Sequence, residues 1–384
     1  MGEKAVNPRH FSALIVSTFD RDVPVRETSL VDEASFHQMI AVERKRTARS
    51  EKPFLLMILE AEMGLSAPAR GSMSGKILEA LTLSIRETDV TGWYKDGEAI
   101  GVMFTEISSD DRDATVTAMM NRICETLRRN LKWEEFDQIN ISWHAFPEDW
   151  HQGTLEGNPV LYPDLERRER AQKPLRLLKR AMDIAGSTAA LVFLAPVLGL
   201  VAALVKLSSH GPILFKQQRL GQFGKPFTFL KFRSMYVNND RTVHREFMRG
   251  VISGECDGKV EGHEQLVYKM TDDPRITRIG KFLRRTSLDE LPQFFNVLRG
   301  DMSLVGPRPP IAYEFEEYDI WHRRRVLEIK PGITGLWQVN GRSRVRFDDM
   351  VRLDLQYARS WSLWLDIRIL MRTPAAILLG KDAF

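Results

Sequence analysis

The chain has 384 residues and a net charge of +4, and this length predicts two domains. It contains two cysteines, Cys124 and Cys256, which excludes a disulfide framework and a zinc-ligand cluster and favours a reducing compartment. The first residues lack the apolar run of a signal peptide, and Val6 stands where a myristoylation signal needs Ser or Thr. Composition therefore favours a protein that faces the cytosol.

Charge divides the chain into two parts. Residues 1–165 carry 18 Lys+Arg and 27 Asp+Glu, whereas residues 166–384 carry 37 and 24. A basic half suits nucleic acid, anionic lipid or a phosphorylated substrate. Because no recognisable nucleic-acid-binding module accompanies the charge, we do not expect nucleic acid as a partner. We predict an acidic domain over 1–165, a basic linker over 166–174 and a basic domain over 175–384.

Hydrophobic periodicity predicts a regular alternation of elements in the acidic part. The predicted helices and strands are Asp32–Ser50, Phe54–Ala61, Gly71–Glu87, Val90–Tyr94, Ala99–Ile107, Asp110–Leu131 and Ile139–Phe146. Their order, αβαββαβ, predicts an α+β sandwich.

Three stretches of this domain resemble the GGDEF, or diguanylate cyclase, domain over roughly 32–147: ERKRTARSEKPFLLMILEAE, RETDVTGWYKDGEAIGVMF and INISWHAF. Lys-Asp-Gly-Glu-Ala at 95–99 replaces the signature loop, and LEAEMG lacks convincing metal carboxylates, so we predict a degenerate domain without cyclase activity. The resemblance implies that Arg86 and Asp89 form a cyclic di-GMP site. The alternative is a helix end with solvated charges.

The longest apolar stretch runs from Ile184 to Leu207 and has no charged residue before Lys206. It is long enough to be a membrane-span candidate. Pro196, at its midpoint, must kink a helix, and basic residues at both ends indicate that both ends face the cytoplasm. This pattern predicts a re-entrant helical hairpin over 184–207. A kinked single span and a buried core helix are the alternatives.

Charged residues precede the apolar stretch in LRLLKRAMD. We predict that Lys179 and Arg180 meet lipid phosphates. A carboxylate at the membrane mouth needs a partner, and Arg180 is one candidate; Asp183 is predicted to lock the hairpin rather than to take part in the chemistry.

Further basic residues follow the hairpin. Lys231 and Arg233 fall on one face of a predicted strand, where they can face a phosphate; a solvated strand face is the alternative. Trp321 to Arg325 are predicted to lie in an interfacial helix, with a structural role for His322. Arg342, at the end of a glycine-containing loop, is a candidate substrate contact.

The segment from Arg284 to Glu290 combines two arginines with adjacent carboxylates. A capping box accounts for Ser287 and Glu290 but leaves Asp289 unexplained. A carboxylate in a first helical turn beside Arg284 and Arg285 is expected to stay ionised and nucleophilic at an anion-binding site. Such an arrangement suits phosphoryl transfer.

A second motif follows at Gly306-Pro-Arg-Pro-Pro310, in which Pro307 and Pro309 are expected to fix Arg308 against a diphosphate with little loss of entropy.

These motifs resemble the bacterial sugar transferase family of monotopic phosphoglycosyl transferases. The resemblance covers about residues 175–384, including KRAMDIAGSTAALVFLAPVLGL, GPILFKQQRLGQFGKPFTFLKFRSM, DPRITRIGKFLRRTSLDELPQFFNVLRGDMSLVGPRP and KPGITGLWQVNGR. It implies an α/β domain with a re-entrant helix at the cytoplasmic face of the bacterial inner membrane. It also implies transfer of sugar-1-phosphate from a UDP-sugar to polyprenyl phosphate, with release of UMP, in exopolysaccharide, capsule or O-antigen synthesis.

The resemblance also implies site roles. Asp289 would be the nucleophile that forms a phospho-sugar intermediate, Glu290 would bind Mg²⁺ or assist proton transfer, and Arg308 would contact substrate phosphate. The competing interpretation is a membrane-anchored signalling or scaffold protein that responds to cyclic di-GMP. A homodimer is a further expectation, since the acidic domain of one copy can contact the basic domain of another.

Overall fold

A computed structural model of the chain describes residues 30–61, 67–105, 107, 112–147, 157–237, 242–253, 275–341 and 345–379. The fold mixes helices and strands, as predicted. In the first part of the chain the elements are α1 (Glu33–Ser50), β1 (Phe54–Ala61), α2 (Ala67–Thr82), β2 (Val90–Lys95), β3 (Ala99–Phe104), α3 (Arg112–Asn130), α4 (Trp133–Asp137) and β4 (Ile139–Phe146).

The four strands form one antiparallel sheet in the order β2-β3-β1-β4. Central strand β1 is buried along six of its eight residues, and its side chains alternate between the two faces. Leu56 and Ile58 pack with Phe36 of α1, whereas Met57 packs in a second cluster with residues of α2 and α3. The predicted α+β sandwich is confirmed.

The segment predicted to be a basic linker, 166–174, is helical. A short 3₁₀ turn (Pro159–Leu161) leads into α5 (Pro163–Ala171), and α6 (Lys173–Phe193) follows after Gln172. Arg44 of α1 forms an ion pair with Asp164, while Arg168 donates to the Ala358 and Arg359 carbonyls. This joint therefore packs against both parts of the chain.

The remaining elements are α7 (Ala195–Ser208), β5 (Leu214–Leu220), β6 (Pro226–Phe232), α8 (Thr242–Ser253), α9 (Arg278–Thr286), α10 (Gln293–Arg299), β7 (Ser303–Val305), α11 (Ala312–Glu316), α12 (Ile320–Leu327), β8 (Gly332–Thr334), α13 (Leu336–Asn340), α14 (Phe347–Ser360) and α15 (Leu363–Leu379). Short 3₁₀ turns cover Gln222–Gly224 and Leu288–Glu290. Strands β5 and β6 form an antiparallel hairpin, and β7 and β8 pair in parallel.

Helices α6 and α7 form the apolar pair that was predicted as a hairpin. They are bent by 63° at Leu194, so the break comes slightly before Pro196. Pro196 lies in the first turn of α7, where its missing N–H costs no hydrogen bond. Within the described ranges, no single helix has the length and apolar composition to cross a membrane, but this bent pair meets both criteria together. Phe193, at the bend, is 82% exposed.

The prediction that α12 is an interfacial helix is wrong, because this helix packs in the core. His322 and Arg325 are each only 2% exposed. The structural role predicted for His322 is confirmed: its Nδ1 accepts from the Asp319 amide and its Nε2 contacts Asp348 Oδ1 at 3.1 Å. The other face of α12 lines a cleft with α1.

One buried apolar cluster continues across the two parts of the chain. Phe36 and Ile40 of α1 belong to the same cluster as Phe315, Val326 and Leu327. The boundary at residue 165 stays a prediction, and packing is continuous across it.

A shared core predicts cooperative unfolding. Ile40 is fully buried, so Ile40→Ala should destabilise the protein by about 2–5 kcal/mol and should shift one thermal transition that includes both parts. Val42→Ala on the same helix is the matched control, because Val42 is 51% exposed. Differential scanning calorimetry checks this. Two separate transitions, of which only one moves, would contradict the shared core.

Candidate active site

A sharp reversal of the chain places the adjacent carboxylates. Helix α9 ends at Ser287, which adopts the left-handed conformation (φ 57°). The 3₁₀ turn Leu288–Glu290 follows, and α10 begins only after Pro292. The alternative of a capping box does not hold, because the Ser287 side chain makes no cap hydrogen bond. Asp289 therefore lies in a tight turn between two helices and not in the first turn of α10.

Asp289 is buried, with 6% of its surface exposed. Lys231, from β6, reaches it across the turn: its Nζ lies 2.8 Å from Glu290 Oε1 and 4.0 Å from Asp289 Oδ2. Arg308 approaches from the other side, with Nη1 3.6 Å from Glu290 Oε1. The structure thus brings together four of the predicted site residues.

The two arginines of α9 occupy different positions. Arg284 donates through Nε to Ser234 Oγ at 2.9 Å, and its charge acts on Asp289. Arg285 is exposed. Pro307 and Pro309 are buried on either side of the half-buried Arg308, as expected of residues that fix its backbone.

Arg233 does not face the site, contrary to prediction. It is buried at 6% exposure and lies just beyond the end of β6. Its guanidinium donates to the carbonyls of Val205, Ser209 and His210 at 2.6–3.2 Å. It therefore caps the C-terminal end of α7, where a cation is favoured. Arg342 lies outside the described residues.

The prediction that Lys179 and Arg180 meet lipid phosphates is wrong, because both side chains donate hydrogen bonds to groups of the protein. Lys179 Nζ donates to Asp366 Oδ2 at 2.7 Å and to the Val305 carbonyl at 3.1 Å. Arg180 donates to the Val297 and Leu298 carbonyls at 2.6 and 2.7 Å. Both cations tie α6 to elements that flank the carboxylates.

The candidate pairing of Asp183 with Arg180 does not hold either. Asp183 is 3% exposed, and its Oδ1 accepts from the Ser303 hydroxyl and the Leu304 amide, both at 2.9 Å. Asp183 thus fastens the first arm of the apolar pair to β7. Strand β7 leads directly into Pro307-Arg308-Pro309.

Burial raises the pKa of Asp289, and the neighbouring Glu290 charge raises it further; Lys231, Arg284 and Arg308 oppose both effects. The sequence predicts that Arg284 and Arg285 keep this carboxylate ionised; in the structure the cost of desolvation exceeds the attraction of the nearby cations, so the pKa is raised. Burial also lowers the pKa of Lys231, although Glu290 and Asp289 oppose that shift.

The carboxylates are compatible with Mg²⁺. Within the described ranges, no group of three or more His, Cys, Asp or Glu side chains converges to hold a metal ion. Mg²⁺ typically binds through one or two carboxylates together with substrate phosphates. Asp289 and Glu290 supply such a pair, and Glu290 is the more exposed of the two.

The sequence did not reveal the positioning role of Asn296 or the reason why residue 306 is a glycine. Asn296 is fully buried, donates to the Thr228 carbonyl at 2.7 Å and accepts from the Leu230 amide at 3.1 Å. It thereby fixes the strand that carries Lys231. A Cβ atom at Gly306 would lie 2.3 Å from the Lys330 carbonyl oxygen, so only glycine allows this close approach between the segment after β7 and the segment before β8. No local sequence pattern marks such long-range contacts.

Arg86 and Asp89 form a local turn. Asp89 Oδ2 accepts from the Arg86 amide at 2.7 Å, and burial raises the pKa of Asp89. Arg86 is exposed. Cyclic di-GMP binding at this turn stays a prediction.

The region that contains the apolar pair, the carboxylates and Arg308 matches a sequence profile described as bacterial sugar transferase over residues 175–380. The chain belongs to the bacterial sugar transferase family. The predicted membership is confirmed.

Two similar relatives of this sugar transferase carry functional names. The galactosyl transferase CpsE of Streptococcus agalactiae serotype III is 44% identical over 211 residues, which cover 54% of this chain and 43% of CpsE. The undecaprenyl-phosphate galactose phosphotransferase of Salmonella typhimurium is 41% identical over 217 residues, which cover 56% of this chain and 43% of that protein. The matched region thus spans less than half the length of these relatives.

A solved structure of a DGC protein from Thermotoga maritima covers 32% of this sugar transferase at 18% identity and a TM-score of 0.26. Since that score does not establish a shared fold, the GGDEF-like nature of the first domain stays a prediction.

The contact between Asp183 and β7 can be tested in the sugar transferase by two substitutions. Asp183→Ala leaves the buried Leu304 amide without its acceptor and should destabilise the protein by about 1–3 kcal/mol. Asp183→Asn keeps an oxygen at the Oδ1 position, which accepts both bonds, and should cost clearly less. Thermal unfolding of the detergent-solubilised protein checks this. Equal losses would indicate that the charge matters and not the acceptor.

Proposed function

We propose that this protein transfers sugar-1-phosphate from a UDP-sugar to polyprenyl phosphate and releases UMP. The arrangement that carries the proposal is the buried Asp289 beside Glu290, with Lys231 and Arg308 directed at the same carboxylates. A carboxylate nucleophile within a cationic cluster suits displacement at phosphorus. The relatives' names support this reaction class.

In the first step an Asp289 carboxylate oxygen attacks the β-phosphorus of the UDP-sugar. A bond forms between that oxygen and the phosphorus, and the bond from the phosphorus to the bridging oxygen breaks. UMP leaves with the electron pair. Lys231 and Arg308 carry the positive charge that stabilises the phosphoryl oxygens during transfer.

In the second step a phosphate oxygen of polyprenyl phosphate attacks the same phosphorus. The aspartyl–phosphorus bond breaks, the Asp289 carboxylate is restored, and the product is a polyprenyl diphosphate sugar. Two successive displacements at one centre predict ping-pong kinetics.

Glu290 and Asp289 would hold Mg²⁺, which would supply positive charge to offset the diphosphate. The ion pairs of Glu290 with Lys231 and Arg308 keep that carboxylate next to the nucleophile.

The bent pair of α6 and α7 supports a position of the site at the membrane. A soluble dianionic donor and a membrane-bound acceptor can meet only at the membrane surface. The bent apolar pair suits a monotopic insertion at the cytoplasmic face of the bacterial inner membrane, because the bases of both arms pack on the transferase. Exopolysaccharide, capsule or O-antigen synthesis would use the product.

The test is UMP release from a panel of UDP-sugars with polyprenyl phosphate and Mg²⁺. Asp289→Asn removes the nucleophile and should reduce release by at least about 10³-fold. Without acceptor, the unaltered protein should release about one equivalent of UMP in a burst, as covalent catalysis requires. The control is Asp349→Asn, because Asp349 forms an exposed ion pair with Arg352. Full turnover by Asp289→Asn would contradict the assignment.

The pH dependence follows from the raised pKa of Asp289. The carboxylate attacks only when ionised, so activity should fall as the pH drops through its pKa, at a higher pH than for an ordinary aspartate. Lys231 is the charge that lowers this pKa most. Lys231→Met should therefore move the acid limb of kcat/KM to higher pH. Lys225→Met, an exposed lysine in the turn of the same hairpin, is the control. If Lys231→Met lowers activity but leaves the acid limb of kcat/KM at the same pH, Lys231 acts in substrate binding and not on the pKa of Asp289.

A further inference from the structure

The loop that carries Arg308 is held almost entirely through its carbonyl oxygens. Three of its four residues are prolines, which have no backbone N–H to donate. Its four consecutive carbonyls each accept a hydrogen bond at 2.7–3.1 Å. The donors, for residues 307 to 310 in order, are the Gly332 amide, Arg325 Nη2, Arg219 Nη1 and the Leu220 amide.

Two of these donors are buried arginine side chains from separate elements. Arg325 is 2% exposed on α12, and Arg219 is 6% exposed on β5. Burial of a guanidinium is unfavourable unless the group is paired and hydrogen-bonded. Two buried cations beside one loop therefore need a reason.

Arg325 has a buried counter-ion. Its Nη2 lies 2.8 Å from Asp354 Oδ2, and Asp354 is 1% exposed. The same Nη2 donates to the Arg308 carbonyl at 3.1 Å. Asp354 thus neutralises the cation, while the rigid fork of the guanidinium reaches the loop.

Arg219 differs, because within the described residues no carboxylate lies within ion-pair distance of it. It donates to Gln217 Oε1 at 3.0 Å and to the Pro309 carbonyl at 2.7 Å, and it stacks on the Phe229 ring at 4.3 Å. Burial, and next the nearby positive charge of Arg308, lower the pKa of Arg219 to about 10. It is therefore held against electrostatic repulsion, close to the site.

We propose that Arg219 and Arg325 are positioning residues that fix the backbone of Arg308 from two sides, and so hold its guanidinium 3.6 Å from Glu290. They act through the Pro309 and Arg308 carbonyls and touch no reacting atom. This inference rests on the proposed function for its effect on turnover. It assigns to the β5–β6 hairpin and to α12 the role of a clamp on one catalytic side chain.

The experiment is a double-mutant cycle. Arg325→Lys keeps the charge beside Asp354 but loses the fork that also reaches the Arg308 carbonyl. Displacing a catalytic group by about 1 Å can cost about 10²-fold, so kcat/KM should fall about 10- to 100-fold, with most of the loss in kcat. With Arg308→Ala already in place there is no guanidinium left to position, and Arg325→Lys should then change kcat/KM by less than about threefold.

Arg219→Lys supplies an independent second cycle with Arg308→Ala, in case Arg325→Lys folds poorly. The matched control is Arg324→Lys, because Arg324 neighbours Arg325 on α12 but pairs with Glu328. This control should stay within about twofold of the unaltered protein. If the losses in kcat/KM of the single variants multiply in both double variants, each arginine acts independently of Arg308. The two arginines would then have only a general structural role, and the proposal would be overturned.

A binding readout separates this inference from the proposed function. Calorimetric titration with UDP in Mg²⁺ buffer repeats both cycles without turnover. If the unaltered protein releases no UMP, the proposed function fails, while non-additive UDP affinities still support the clamp. If UMP is released but the effects of the paired substitutions multiply both in kcat/KM and in UDP affinity, the proposed function stands and only the proposed clamp is wrong.

Discussion

The hydrogen bonds that Asp183 accepts from β7 are the contact on which the rest of the transferase depends. Asp183 lies on the first arm of the apolar pair, and the strand that it fastens runs straight into Pro307-Arg308-Pro309. Lys179 reinforces the contact through Asp366 and the Val305 carbonyl. One helix thus carries both the first arm of the apolar pair and the anchor of the loop that holds Arg308. The position of Arg308 relative to the apolar pair is therefore fixed by a few buried polar contacts.

The site itself is a balance of opposing costs. Asp289 is buried, which raises its pKa, and the cations that offset this shift are themselves buried or half-buried. Neither sign of charge is stable there alone, because low dielectric penalises each unpaired group. In this cluster the opposite charges nearly cancel, which limits the cost of burying them. The same cations can leave their internal ion pairs to contact the diphosphate of the proposed donor. That exchange suits phosphoryl transfer, in which positioned charge supplies most of the rate.

Local sequence patterns predicted most of the helices and strands of the first domain and marked the residues that meet at the candidate active site. Strands Phe54–Ala61 and Ile139–Phe146 were predicted with their observed bounds, because short apolar runs between polar flanks leave little ambiguity. Asp289, Glu290 and Arg308 stand in compact motifs, so the sequence marked them as candidates; the structure brings them together, and their catalytic roles stay a prediction. Arg233 was misassigned and Arg219 was missed, because their partners are carbonyls that only the tertiary fold brings near. Asp183 likewise meets a strand 120 residues away. Periodicity does not encode such pairings.

The cleft between α1 and α12 has a consequence for any attempt to separate the two parts of the chain. Ile320 and Leu327 line it opposite Ala41 and Ala48, so the first domain covers an apolar side of the transferase. A transferase part expressed without the first domain would expose Ile320 and Leu327 to solvent, and polar side chains at these two positions would be needed to keep that surface from associating with other copies.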